Sequence, residues 1–217
     1  MKIKREFFER DTPIVACDLI GKTLVRYVDF FGKYCKLSGI IVETEAYGDK
    51  NDSASHAFKK RTNRNEVMFG NVGIIYVYYI YGNHYCFNIV AKQNDSTAGA
   101  ILIRSIQPTE GINLMRIFRR TENIINLTTG PGKLTKAFKI TKNHNGLDIT
   151  HINNNFFYLD NDQEERKSNN FKVIETSRIG ISNAIEKKWR YIMMNQEIGK
   201  TNEIEEYIHN PFLSRTG

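Results

Sequence analysis

Apolar residues recur along this chain in two periods, and the switches between them lay out most of the elements. Ile14, Val15, Leu19 and Ile20 fall at helical spacing after Thr12-Pro13, which reads as N-cap and first helical residue, and Gly21 is placed to end the helix. The pattern then turns strand-like, and Thr23–Phe30 and Leu37–Glu45, separated by Phe31-Gly32-Lys33, predict two strands. The polar, basic stretch DKNDSASHAFKKRTNRN reads as a loop. Beyond it, Gly73–Tyr81 and His84–Lys92 flank Gly82-Asn83, which predicts a hairpin closed by a two-residue type II′ turn. Ala100–Ile106 predicts a strand that ends at Pro108. A helix follows from Thr109 to about Arg119, and another begins near Pro131 and includes Leu134, Ala137 and Phe138. NNNFFYLDNDQEERKSNN is polar around a short apolar island and reads as a surface hairpin or loop, whereas RIGIS and WRYIMM predict two more strands. No fixed-period repeat or linker divides the chain. The expectation is a single α+β domain over residues 1–217, mainly an antiparallel curved β-sheet with flanking helices and a protruding β-hairpin.

Charge changes this picture modestly. The 217 residues carry 31 Lys and Arg against 24 Asp and Glu, a net charge of +7, which favours a polyanionic partner. The chain is rich in Lys, Ile and Asn throughout, so charge by itself does not decide the matter. Cys17, Cys35 and Cys86 are odd in number and widely spaced, with no CxxC or Cys/His ligand spacing, so neither a disulfide framework nor a zinc site is expected. The N-terminus lacks a continuous apolar stretch and no segment approaches eighteen apolar residues. These features predict an intracellular, cytoplasmic protein that is no membrane protein and needs no metal or cofactor.

The densest chemical signal is aromatic. Five of the eleven tyrosines, Tyr76, Tyr78, Tyr79, Tyr81 and Tyr85, fall within ten residues. Core packing rarely needs so many flat rings with polar tips, and in a basic chain a nucleobase is the obvious flat partner. Glu43 and Glu45 sit at i and i+2 on a predicted strand, on one face with Tyr47. A carboxylate there can serve as a general base activating water, and two neighbouring acids push one pKa upward; the plainer reading is two solvated acids at a strand end. His56 lies in a loop of small residues beside Lys59, Lys60, Arg61 and Arg64, a cluster suited to phosphates or simply to solvent. Tyr81 directly precedes the predicted turn, where a large side chain cannot easily reach its own core and can instead wedge into a base stack. TTGPGKLTKAF offers Gly130, Gly132 and Lys133 ahead of a helix, an anion-binding pattern. It lacks the Walker A spacing, and no metalloprotease, serine-hydrolase or kinase signature is present.

In this order, ETEAYG, SxxHAF, RNEVMFGNVGIIYVYYIYGNHYCFNIV, ILIRSIQP and GPGKL resemble the alkyladenine (3-methyladenine) DNA glycosylase family. The likeness runs from about Leu19 to Leu147 and resumes at RIGIS, WRYIMM and NPFLSR. It implies a monofunctional glycosylase of base excision repair that extrudes alkylated or deaminated purines from double-stranded DNA, acting as a monomer. In the matching motifs Glu45 is the general base and Glu43 structural; Arg104 helps hold the attacking water. Tyr47, His56 and Tyr78 sandwich the flipped base, Asn88 obstructs normal guanine, Tyr81 is the wedge and Lys133 contacts a phosphate. Arg61 and Arg64 join the phosphate contacts on charge, and Tyr76, Tyr79 and Tyr85 are left as scaffold.

Two features of the chain set the pattern under tension. A two-residue turn pairs Tyr81 with His84 and puts Asn88 opposite Val77, on the other face from Tyr78, so a bend or bulge is needed to bring both to one pocket. A polar, acidic stretch, Gln196–His209, separates WRYIMM from NPFLSR. The competing function is a non-catalytic module that stacks bases on sheet aromatics, as RRM domains do, although the RNP1 pattern is absent. A bifunctional glycosylase/lyase is a third reading, but no lysine stands at the matched catalytic position.

Overall fold

Phe31 and Gly32 both take positive φ, 54° and 79°, and close a tight turn between β1 (Thr23–Phe30) and β2 (Lys33–Tyr47). That pair begins a sheet continued by β3 (Ile75–Ile80), β4 (His84–Val90), β5 (Ala100–Glu110), β6 (Phe157–Asp160), β7 (Phe171–Thr176) and β8 (Arg190–Asn195). The computed structural model describes residues 1–80, 82, 84–161 and 171–195. Among these, the strands run in the order β3-β4-β5-β2-β1-β6, every pair antiparallel. β8 takes the end of β2 on the edge that β1 vacates, and β7 pairs with β8. The sheet curls as a half-barrel against α1 (Thr12–Asp18), α2 (Ile112–Arg119) and α3 (Pro131–Ala137). Its main core gathers Leu24, Ile41, Phe87, Ile89 and Ile103 with Val15, Met115 and Leu134 from the helices and Phe138 just past α3. The α+β reading with a curved antiparallel sheet therefore holds.

Several boundaries differ from those the sequence pattern predicts. β5 runs through Pro108 to Glu110 because the register shifts between Ser38 and Gly39, so the proline sits at an irregularity where its missing N–H is tolerated. Gly39 admits this close crossing: a Cβ there would meet Ile106 Cγ2 at 2.3 Å and the Gln107 carbonyl oxygen at 2.6 Å. α2 begins at Ile112 rather than Thr109, since Gly111 turns the chain at φ 74°. The N-cap of α1 is Asp11 and its side chain makes no capping bond; Thr12 is already helical and donates its hydroxyl to the Ala91 carbonyl at 2.8 Å. The apolar island Phe157–Asp160 forms β6 against β1 instead of a surface loop. RIGIS is no strand, because its polar groups are spent on the site described below. Tyr81 and the stretch 196–209 lie outside the described residues.

The β3–β4 register removes the tension noted above. Ile80 pairs with His84, so three positions, not two, separate the paired ends, and Asn88 falls opposite Tyr76. One step of register exchanges the faces of a strand. Tyr76, Tyr78, Cys86 and Asn88 thus share a face without any bulge in this pair.

Candidate active site

Where β2 meets β5 the ladder breaks twice within three residues. Ile41 pairs with Ile106, Glu43 with Ser105 and Thr44 with Ile103, so Val42 on β2 and Arg104 on β5 are skipped. A skipped residue bends its strand and re-aims its side chain. Arg104 uses that freedom to bridge both acids, with Nε on Glu43 Oε1 at 2.9 Å and Nη1 on Glu45 Oε2 at 3.3 Å.

The two carboxylates, buried rather than solvated, then diverge. Glu43 also accepts from Arg190 Nε at 2.6 Å and from the Ser105 hydroxyl at 2.8 Å. Ser105 Oγ in turn accepts from the Gly130 N–H at 3.1 Å, tying the GPGKL segment to this acid. Burial raises the Glu43 carboxyl, but Arg104, then Arg190 and Ser105, overcome it and hold the pKa below its ordinary value. The upward push expected from two adjacent acids is reversed at Glu43 because guanidinium groups stand between and beside them. Glu45 is completely buried. It accepts from the Tyr47 hydroxyl at 2.8 Å and the Ile179 N–H at 2.7 Å. Burial first, and then the Glu45 charge, push the Tyr47 phenol up, so it remains a donor. Arg104 loses by burial, yet Glu45 and Glu43 raise its pKa above the ordinary value.

All three groups that hold Glu45 also line a cavity of about 410 Å³, a size suited to a small planar ligand. Its aromatic wall is built by β3 and by the loop after β2. His56 meets Tyr78 edge-on at 4.6 Å between ring centroids, and Tyr76 lies 5.1 Å from Tyr78. The His56 ring nitrogen Nδ1 lies 3.0 Å from the Tyr76 hydroxyl. Burial, then nearby Arg64, lowers the His56 pKa, keeping the ring neutral near neutral pH. Asn88 lies on the cavity floor with Nδ2 donating to the Tyr76 carbonyl at 3.0 Å. Cys86, also in the wall, has its thiol pushed up to about 11, chiefly by burial.

Of the residues singled out by sequence, Tyr47, His56, Tyr78, Asn88 and Arg104 converge on this cavity, with Glu45 directly behind its wall. Arg61 and Lys133 stand away from it. Arg61 is exposed, and Lys133 donates to Asn126 Oδ1 at 2.9 Å. Arg64 reaches back over the Tyr78 ring, 5.4 Å from its centroid. Tyr76 is not the scaffold residue expected, since it lines the cavity and is bonded to His56. Tyr79 and Tyr85 pair with each other at 5.1 Å, on the face away from the cavity.

The sequence reading missed a latch. Arg178 and Asp52 form a fully buried two-pronged ion pair, Nη1 to Oδ2 at 2.6 Å and Nη2 to Oδ1 at 2.7 Å. Arg178 also donates to the Ala46 carbonyl at 2.9 Å and lies 4.8 Å over the Tyr47 ring, while Asp52 accepts from the Gly48 N–H at 3.0 Å. The pair fastens the end of β2, the His56 loop and the segment carrying Ile179. Nothing in DKNDSASHAF distinguished Asp52 from its neighbours, and RIGIS pointed to the segment only through the resemblance. Among the described residues no group of three or more His, Cys, Asp or Glu is placed to hold a metal ion. No helix among them is long and apolar enough to cross a membrane.

Comparison with known proteins gives the family. The methylpurine-DNA glycosylase family model matches residues 6–197. A Prosthecochloris aestuarii protein named "Putative 3-methyladenine DNA glycosylase" is 43% identical over 205 residues, covering 94% of this chain and 93% of its own. Proteins of the same name from Chlorobium phaeobacteroides and Clostridium botulinum are 40% and 41% identical; they cover 91% and 88% of this chain and 96% and 95% of their own. The chain belongs to the methylpurine-DNA glycosylase family.

Proposed function

We propose that this chain is a monofunctional DNA glycosylase domain that rotates alkylated purines out of double-stranded DNA and hydrolyses their N-glycosidic bond, leaving an abasic site. The observation that carries this reading is the buried Glu45 carboxylate, fixed by Tyr47, Arg104 and the Ile179 N–H immediately behind an aromatic cavity. Cleavage passes through a cationic sugar, so a carboxylate at that point both takes the proton of the attacking water and offsets developing positive charge. Arg104, bridging Glu43 and Glu45, orients the base and the water. The purine enters between Tyr47, His56 and Tyr78, with Tyr76 as a further wall and Asn88 crowding a normal guanine. Alkylation at N3 or N7 makes the base cationic, and each ring face then favours it by about 0.5–2 kcal/mol. Hypoxanthine and ethenoadenine are neutral and lack that contribution. Tyr81 fills the gap in the stack, and Arg61, Arg64 and Lys133 contact phosphates. A purely base-stacking module gives no purpose to desolvating Glu45 so completely.

The test is release of free 3-methyladenine or 7-methylguanine from alkylated duplex DNA by a monomer without added metal; intact glycosidic bonds at high enzyme excess would overturn the reading. In the same assay Tyr81→Ala lowers release from duplex more than from single strands, and equal losses remove the wedge assignment.

His56 supplies a pH signature. Burial, and then Arg64, lower its pKa from the ordinary histidine value, so the ring gains charge only as pH falls through the lowered value. A positive His56 repels a cationic base but not a neutral one. KM for 7-methylguanine sites is therefore expected to rise relative to hypoxanthine sites as pH falls through that lowered value, and His56→Gln to abolish that divergence. Parallel pH profiles for the two lesions in the wild type would contradict the assignment.

A further inference from the structure

A second cavity of about 420 Å³ lies beside β1 and β6 and shares no lining residue with the first. Phe87 and Phe157 stack at 5.4 Å and separate the two, since Phe87 turns away from the face that Cys86 and Asn88 present to the catalytic cavity. The feature that sets the second cavity apart is Arg26. Its Nη1 is buried with no hydrogen-bond partner, and no ion pair forms to it among the described residues. Burial lowers its pKa to about 10, the mark of a guanidinium without a counterion. Removing such a charge from water without compensation is unfavourable.

Among the described residues the surroundings do not supply the missing anion. Asp148 also lines the cavity, but its carboxylate is committed to Arg5 and to the N–H and hydroxyl of Thr150. His144 is neutral, lowered first by burial and then by Arg26 itself. Leu147, His151, Asn153 and Asn154 form part of the lining, and the flat walls are aromatic. Arg26 stands 5.3 Å over the Phe157 ring, and Phe156, 52% exposed at the cavity lip, meets Tyr27 edge-on at 6.3 Å. The cavity volume falls within the range of small-ligand sites.

We propose that this cavity binds a small aromatic oxyanion, one carboxylate or phosphate borne on a flat ring, with Arg26 taking the charge and Phe156, Phe157 and Tyr27 taking the ring. A guanidinium fork matches either oxyanion in two-pronged fashion. The proposal does not depend on the glycosylase reading.

Benzoate and phenyl phosphate are the two probes, with benzamide as the uncharged ring, each titrated against the full chain by NMR. At least one anion binds the wild type more tightly than benzamide, and which one names the preferred oxyanion. Arg26→Met weakens that binding by about tenfold or more, as loss of a charged hydrogen bond implies, while an unchanged circular dichroism spectrum and dispersed NMR signals report the variant folded. Equal binding to wild type and Arg26→Met, or no binding of either anion, overturns the proposal. Should Arg26→Met fail to fold, the wild-type comparison still decides, because equal binding of benzoate, phenyl phosphate and benzamide overturns it too.

Discussion

Glu45→Gln is expected to cut single-turnover release of 7-methylguanine from alkylated duplex DNA by about 10²–10⁴-fold, the span over which a positioned general base acts. Affinity for the same duplex should change little, because Glu45 lies behind the cavity wall. The substitution carries a structural cost of its own. Glu45 accepts from Tyr47, Arg104 and the Ile179 N–H, and an amide offers one accepting end where the carboxylate offers two. One donor is left facing another, at a penalty of about 1–3 kcal/mol. Thermal melts and DNA binding measured alongside the kinetics separate this loss from the chemical one. A variant that binds DNA and still releases the base within about tenfold of wild type removes Glu45 as the base.

The second large effect lies in the latch. Asp52→Asn leaves the Arg178 guanidinium buried without its counterion. Breaking a buried pair in this way costs about 3–5 kcal/mol, a large share of the stability of a domain this size. The melting temperature should fall by on the order of 10 °C. Release should fall as well, since Arg178 lies over Tyr47 and precedes Ile179. Adding Arg178→Met removes the stranded charge, so the double variant should be more stable than Asp52→Asn alone while release stays low. Simple additivity of the two single losses would show that the two side chains do not act as a pair.

The sequence made the residues around the cavity more legible than their support. Glu45, Tyr47 and His56 stand out among the residues themselves, whereas the places of Tyr78, Asn88 and Arg104 come only through the family resemblance. Tyr76 shares a strand face with Tyr78 in either register, and the resemblance gave it no role; what the register changes is Asn88, because Gly82-Asn83 suggests a two-residue loop where pairing leaves three positions. That one step decides which tyrosines face Asn88. β6 was missed because four apolar-rich residues inside a polar stretch carry too little periodicity, and their partner, β1, is more than a hundred residues away. The Asp52–Arg178 pair joins positions 126 apart, and neither residue lies in a pattern that marks burial. RIGIS looked like a strand because its residue types suit one. Instead its Ile179 N–H goes to Glu45, and Gly180 at φ 73° turns the chain away.

The paired breaks between β2 and β5 have a consequence for how the site can vary. Register is the same before Glu43, where Ile41 meets Ile106, and after it, where Thr44 meets Ile103; the extra residue on one strand cancels the extra residue on the other. The irregularity is thus phase-neutral. Core residues on either side stay in step with their partners whatever occupies position 104, much as two opposite dislocations leave the surrounding lattice aligned. Changes of side chain at Arg104 should be felt at the two acids and nowhere along the ladder. Loss of either extra residue alone should throw every contact on one side of the break out of phase.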